Sequence, residues 1–401
     1  MRRLAGVTIA FTLSLAATAA AQDYGTQWLD RISRAMVEGD APLPTIPVTV
    51  SASGGELFTY DSNIFLSDTK TRADSIFTTF GQVGVQYSQV DFDAEADLTA
   101  NYNAYAHHND SSSDEERFFG RARWQGSRVS VSLAQILRRE SSPTDVVFVD
   151  RVQRLLSNTT PLIVVEATDD LSFELQTDLQ FVKFHRREFE SANNTNTRTA
   201  LTVAYNTGWN NLEALIQAGY LTINYSESIS TDAAGFYGRV GGRGQLTPGL
   251  YAAALAGITQ AESDDFPGTT VSIEHATGDV EFNLAYAVTE RANAYASYSR
   301  RIGFAAGGAA FQVIDAAGLS GDLALRDDVK VRARLQYDRV HGPFVVGRAY
   351  YSGGVGAEYR LHENVLIDGG VTYRTGVALV PGGSGDFRDF IVSVGLAVLL
   401  N

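Results

Sequence analysis

Charged residues at every second position are the first feature of this chain that could do chemistry. Asp91, Asp93, Glu95 and Asp97 recur at a spacing of two, and Arg121 and Arg123 repeat that spacing with the opposite charge. Arg239 and Arg243, then Lys330, Arg332 and Arg334, give basic patches further along. On one face of an extended wall, such groups can pair into ladders that merely stiffen it. Held apart as acidic and basic walls, they would impose a transverse field on a passing solute and tune its selectivity. A second group, His107 and His108 followed by Asp110, Asp114, Glu115 and Glu116, has donors for a divalent cation. Its spacing is not of the H-E-x-x-H kind, and a solvated loop is the better reading. Gly307-Gly308 and Gly382-Gly383 precede no helical pattern, so no phosphate cradle forms there. With no cysteine, thiolate catalysis, disulfides and Cys-based metal sites are excluded. A hydrolase would need a Ser or Asp nucleophile with a His on the same rim, and nothing in the sequence points to one. No catalytic residue, cofactor or metal ligand is therefore assigned.

The element that must carry the acidic set runs from Asp91 to Ala106. Phe92, Ala94, Ala96, Leu98, Ala100, Tyr102, Ala104 and Ala106 alternate with Asp91, Asp93, Glu95, Asp97, Thr99, Asn101, Asn103 and Tyr105. A period of two is the strand period, because successive Cβ atoms point to opposite sides of a sheet. Ordinary strands run to about 5–6 residues, whereas a tilted strand crosses a bilayer in about 9–11. This length predicts a transmembrane strand with lipid on the Ala/Leu/Tyr side and water on the acidic side. The same alternation returns at 171–181, 279–288, 329–338 and 390–400. Tyr105 and Tyr295 could add an aromatic track for sugars, although the parity of the strand over 292–302 is ambiguous.

Punctuation gives the architecture. Short turns fall near Gln89-Val90, Gln125-Gly126, Thr168-Asp170, Asn206-Gly208, Thr247-Gly249, Thr289-Glu290, Asp327-Asp328 and His362-Asn364, about 40 residues apart. Longer polar stretches lie between them, at 61–73, 107–116, 139–158, 186–196, 227–235, 261–269, 305–310, 341–346 and 380–386. Short turns on one side and long loops on the other are the asymmetry of outer-membrane barrels. The expectation is an all-β, up-and-down antiparallel barrel of about 18 strands, with 16 as the alternative count. A β-propeller shares the period, but it would place four short strands in each one where this chain has two long runs. Tyr87, Trp124, Tyr205, Trp209 and Tyr373 near strand ends fit aromatic girdles.

Targeting agrees. Arg2 and Arg3, the apolar run Leu4 to Ala17 and Ala19-Ala20-Ala21 form an export signal over residues 1–21, with cleavage expected before Gln22. Residues 22–49 read as a periplasmic arm. Trp28, Leu29, Ile32 and Met36 sit at helical spacing before Pro42, Pro44 and Pro47. It is either an ordered arm or a segment that folds into the barrel mouth and narrows it. Residues 50–401 form the barrel. The formal charge of −14 argues against nucleic acid as a partner.

Tyr60-Asp61-Ser62-Asn63-Ile64-Phe65-Leu66-Ser67, followed by Asp74-Ser75-Ile76, resembles the opening of the beta-barrel porin 2 family. The resemblance implies an outer-membrane barrel, often encoded beside exopolysaccharide genes. Asp61 and Asn63 suit a turn out of a strand, because short polar side chains bond to nearby backbone. The reading is a passive channel or transport component for small hydrophilic solutes, with no cofactor. Its partners would be outer-membrane lipids, lipopolysaccharide and the assembly machinery, and on the resemblance polysaccharide export components. A plugged structural or adhesive barrel is the alternative, and a barrel hydrolase a more distant one.

Overall fold

The computed structural model describes residues 48–66, 71–141, 153–185, 187, 190, 193–209, 212–226, 231–264, 274–303, 311–342, 345–379 and 386–400. The expected signal peptide and nearly all of the arm lie outside them. Eighteen strands follow in order: β1 Val48–Asp61, β2 Asp74–Ser88, β3 Phe92–Tyr105, β4 Ser113–Gln125, β5 Val129–Glu140, β6 Arg154–Glu166, β7 Leu171–Phe184, β8 Asn194–Asn206 and β9 Glu213–Tyr225. The second half comprises β10 Ala233–Thr247, β11 Leu250–Ser263, β12 Glu274–Thr289, β13 Ala292–Gly303, β14 Gln312–Arg326, β15 Val329–Gly342, β16 Val345–His362, β17 Val365–Ala378 and β18 Phe387–Leu400. β1 begins at Val48 and so takes in two residues of the expected arm.

Every strand pairs antiparallel with its sequence neighbours, and the sheet closes where β1 meets β18, from Ala52↔Leu400 to Asp61↔Ile391. Closure leaves no row of unpaired N–H and C=O groups at an edge. All eight short turns lie where the sequence places them. Pro248-Gly249 is one of them, and Gly249 takes a φ of +82°, a left-handed conformation that glycine adopts at no steric cost. The second long loop is shorter than expected, because β4 starts at Ser113 and draws Asp114, Glu115 and Glu116 into the wall.

Alternation sorts side chains onto two faces. Along β18, Phe390, Val394, Leu396, Val398 and Leu400 are exposed outward, whereas Ile391, Ser393, Ala397 and Leu399 are buried. Phe92, Leu98 and Tyr102 are exposed on β3, against buried Thr99 and Asn103. Outward aromatics gather at two levels. Tyr87, Trp124 and Tyr205 are each the penultimate residue at the turn end of β2, β4 and β8. Tyr60, Phe77, Tyr102, Phe236 and Phe390 lie toward the loop ends of theirs, with Phe58–Phe77 and Tyr220–Phe236 ring pairs 5.3 and 4.8 Å apart. Tyr373 does not belong to the turn-end set, since it sits past the middle of β17 toward the loop end.

Candidate functional site

The inner wall collects the charged residues. On β3, Asp93, Glu95 and Asp97 share the face of Thr99 and Asn103. Asp91 does not belong with them. It lies in the turn before β3, where its carbonyl accepts the Gln125 N–H at 2.8 Å. Register sets Arg121 opposite Glu95 and Arg123 opposite Asp93. Arg121 takes both acids, its Nε 3.1 Å from Glu95 and its Nη2 3.9 Å from Asp93, while Arg123 donates to Gln125 at 2.9 Å. Arg121 is half exposed, so these contacts contribute under about 1 kcal/mol each. Their net effect is to leave the β3 wall acidic and only partly compensated.

Arg239 and Arg243 sit in a denser network. Arg239 of β10 donates to Gln217 at 2.9 Å, to Asp279 at 3.2 Å and to Glu281 at 3.0 Å. Asp279 also accepts from Arg198 of β8 at 3.1 Å and from the Thr259 hydroxyl at 2.7 Å. Arg243 bonds Glu213 at 2.6 Å and reaches Glu174 on β7 at 3.1 Å. Contacts from β8 to β12 and from β10 to β7 require a sharply curved wall. Gly219, Gly235, Gly241 and Gly257 line its inner face, where an added Cβ would collide with neighbouring backbone or, at Gly219, with the Tyr237 ring as well. The Tyr237 ring lies over Gly219 with the Arg198 guanidinium 4.2 Å from its centroid, a cation–π contact. Gly219→Val should eject that ring and lower the unfolding free energy by about 1–3 kcal/mol. A urea titration of refolded protein checks this.

Lys330, Arg332 and Arg334 alternate on the inner face of β15; Arg332 pairs with Glu358 at 2.9 Å and Arg334 donates to Gln336 at 2.9 Å. Arg239, Arg243 and Arg332 thus form cross-strand ladders with acids, and no separate basic wall stands opposite an acidic one among these residues. The sequence alone did not single out Arg198, Glu174, Glu213, Asp279, Glu281 or Glu358. Their even spacing on inward faces was a usable signal, but which of them meet depends on curvature. Tyr295 lies on the inner face with Asn293. Tyr105 also faces in, but Ile64 and Ile76 bury it, which removes it from any aromatic track.

Tyr60 to Phe65 forms a clasp between the first and last strands. Asp61 Oδ1 accepts the Asn63 N–H at 2.9 Å, the local turn that short polar side chains make. Ser62 extends the seam, its N–H donating to the Phe390 carbonyl at 3.0 Å and its hydroxyl to Asp389 at 3.1 Å. Asn63 Nδ2 donates to the Arg388 carbonyl at 3.1 Å. Arg374 Nε holds Asp389 at 2.7 Å, and Arg374 Nη2 lies 3.4 Å from Asp61. Tyr60 points outward, and Phe65 packs beside Ile64 with its ring 5.6 Å from that of His108. The buried Asp74 carboxylate accepts the backbone N–H of His107 at 3.0 Å and of His108 at 2.8 Å, and both imidazoles turn to it. Those two histidines therefore cap a strand end. Among the described residues no three His, Asp or Glu side chains converge as a metal site.

No family model matches the chain, and no curated protein sequence does. Solved structures similar to it include OpdK of Pseudomonas aeruginosa with vanillate (TM-score 0.46, 9% identity, 88% of this chain and 99% of that one). A BenF-like porin from Pseudomonas fluorescens Pf-5 gives a TM-score of 0.47 at 10% identity, over 88% of this chain and 99% of that one. OccAB4 of Acinetobacter baumannii gives 0.45 at 12%, over 88% and 98%.

Proposed function

We propose that the chain spans the outer membrane as a porin-like barrel and passes small hydrophilic solutes through its lumen. The observation that carries this reading is the closed ring of 18 strands with an apolar outer belt between two levels of aromatics and a charged inner wall. Barrels of 16–18 strands leave an aqueous passage, and an apolar band edged by aromatic girdles is what a bilayer requires. Arg198–Asp279 and Arg243–Glu174 brace the β7–β12 side, so passage is expected along the wall from β14 through β18 to β4. Cations are the favoured ions, because the β3 acids outnumber their partner Arg121. No reaction is assigned. The exopolysaccharide connection is the narrower form of this proposal and rests on the Tyr60–Ser67 resemblance; lipopolysaccharide and the assembly machinery are proposed partners on the membrane reading alone.

Single-channel recording on the folded full chain tests this. Ohmic steps with a cation-selective reversal potential are expected, and Asp93, Glu95 and Asp97 changed together to Asn should move that potential toward anions. A silent bilayer over repeated insertions contradicts the channel. A conducting pore whose reversal potential ignores the triple substitution removes those side chains from the path.

A further inference from the structure

The outer wall carries polar side chains at the depth where lipid accommodates them worst. Glu56 of β1 shares its parity with the exposed Val50, Phe58 and Tyr60 and lies opposite Leu396 and Thr79. The Thr79 hydroxyl donates to both carboxylate oxygens, at 2.9 and 3.0 Å. Further round, Gln135 of β5 shares the outward face of Leu133 and Leu137. It donates to the Ile136 carbonyl at 3.1 Å and to the Ser157 hydroxyl at 3.0 Å, and accepts from Thr159 of β6 at 2.5 Å. Thr177 of β7, between the exposed Leu175 and Leu179, meets Thr199 of β8 at 3.2 Å. Glu56, Thr79, Gln135, Thr159, Thr177 and Thr199 each lie within two residues of the middle of their strand. At the same level, outward positions on six later strands hold Val240, Ala256, Leu319, Leu335, Val371 and Val394, while on β13 Tyr298 and Arg300 turn toward the loop end and bond Asp315 of β14 at 3.1 and 3.3 Å.

We propose that the outer face of β1–β8 is an interface with a second copy of this chain, in which Glu56 and Thr79 of one copy face the Gln135–Thr199 band of the next. The inference rests on the membrane-spanning reading above. Copies that share one bilayer share its plane, so complementary groups must lie at equal depth, and these two sets do. Their chemistry is complementary: a carboxylate accepts only, whereas the Ser157 hydroxyl and the Thr177–Thr199 pair retain donors. Between the sets, β3 and β4 present Ala94, Ala96, Ala100, Gly120 and Ala122 outward, small residues that let two walls approach closely. A polar group in hydrocarbon is retained where a partner satisfies it. Lipid is the occupant for β9–β18, and protein for β1–β8.

The absence of cysteine makes the test direct. A full-length Thr79→Cys/Thr159→Cys variant is treated with a short bifunctional thiol reagent in native membranes. Within one barrel the two positions are four strands apart, about 19 Å along the wall, beyond the reagent's reach. The proposal expects linked species of two or more chains from most of the protein. A Leu335→Cys/Val371→Cys variant should stay as single chains, and Glu56→Leu should cut the linked fraction several-fold. Equal linking from both cysteine pairs, or none from either, overturns the interface. In that case a barrel that still conducts leaves the channel reading intact.

Discussion

Arg374→Met is expected to lower the unfolding free energy by about 3–5 kcal/mol, the cost of removing one partner from a buried charge cluster. Its guanidinium pairs with Asp389, whose side chain is fully buried, and it also touches Asp61, which is 5% exposed. Without it, two carboxylates stand together at the seam with hydroxyl and amide donors that cannot neutralise them. The damage falls where the barrel closes, since Ser62 and Asn63 tie β1 to β18 through the same residues. Arg374→Met/Asp389→Asn should recover part of the loss, because one of the two charges goes with the cation. Urea unfolding of refolded protein, read against the shift of the folded band on an unheated gel, measures both. A loss below about 1 kcal/mol for the single change would mean the cluster is already hydrated.

Asp279→Ala should do comparable harm, about 3–5 kcal/mol, and should also alter conduction. Asp279 is 1% exposed and receives Arg198, Arg239 and the Thr259 hydroxyl. Truncating it strands two buried guanidinium groups beside each other, with Arg301 lining the same cavity as Arg198. Glu281 still reaches Arg239, but Arg198 loses its ion pair with Asp279. Asp279→Asn retains hydrogen-bond acceptance and should cost less, about 1–3 kcal/mol. Both substitutions make the lumen more positive, so the reversal potential should move toward anions. Unchanged selectivity with full destabilisation would confine Asp279 to a bracing role.

The barrel was legible because two independent signals coincide: a period of two over long runs, and turn residues every second strand. The eight short turns and the strand count follow from them. Alternation misled at Asp91, where the polar-apolar pattern runs on into the turn although the backbone has left the ladder. It placed Tyr105 on the right face but gave no sign that the chain after Asp61 folds back and covers it. The motif at Tyr60–Phe65 read as a turn because an Asx turn is local, whereas its bonds to Arg388, Asp389 and Phe390 join residues more than 320 positions apart. The same limit hid Arg198–Asp279 and Arg243–Glu174. Sequence fixes the face on which each residue stands, and only the curvature set by inner-face glycines decides which of them touch.

The central claim is that β3 divides an aqueous lumen from a dry exterior residue by residue, and cysteine scanning along it tests this most directly. Asp93, Ala94, Glu95, Ala96 and Leu98 are replaced singly in the cysteine-free chain and exposed, in folded protein in bilayers, to a charged thiol reagent confined to water. The account predicts labelling at 93 and 95 and protection at 94, 96 and 98. Labelling at all five positions, or at 94, 96 and 98 alone, would contradict it.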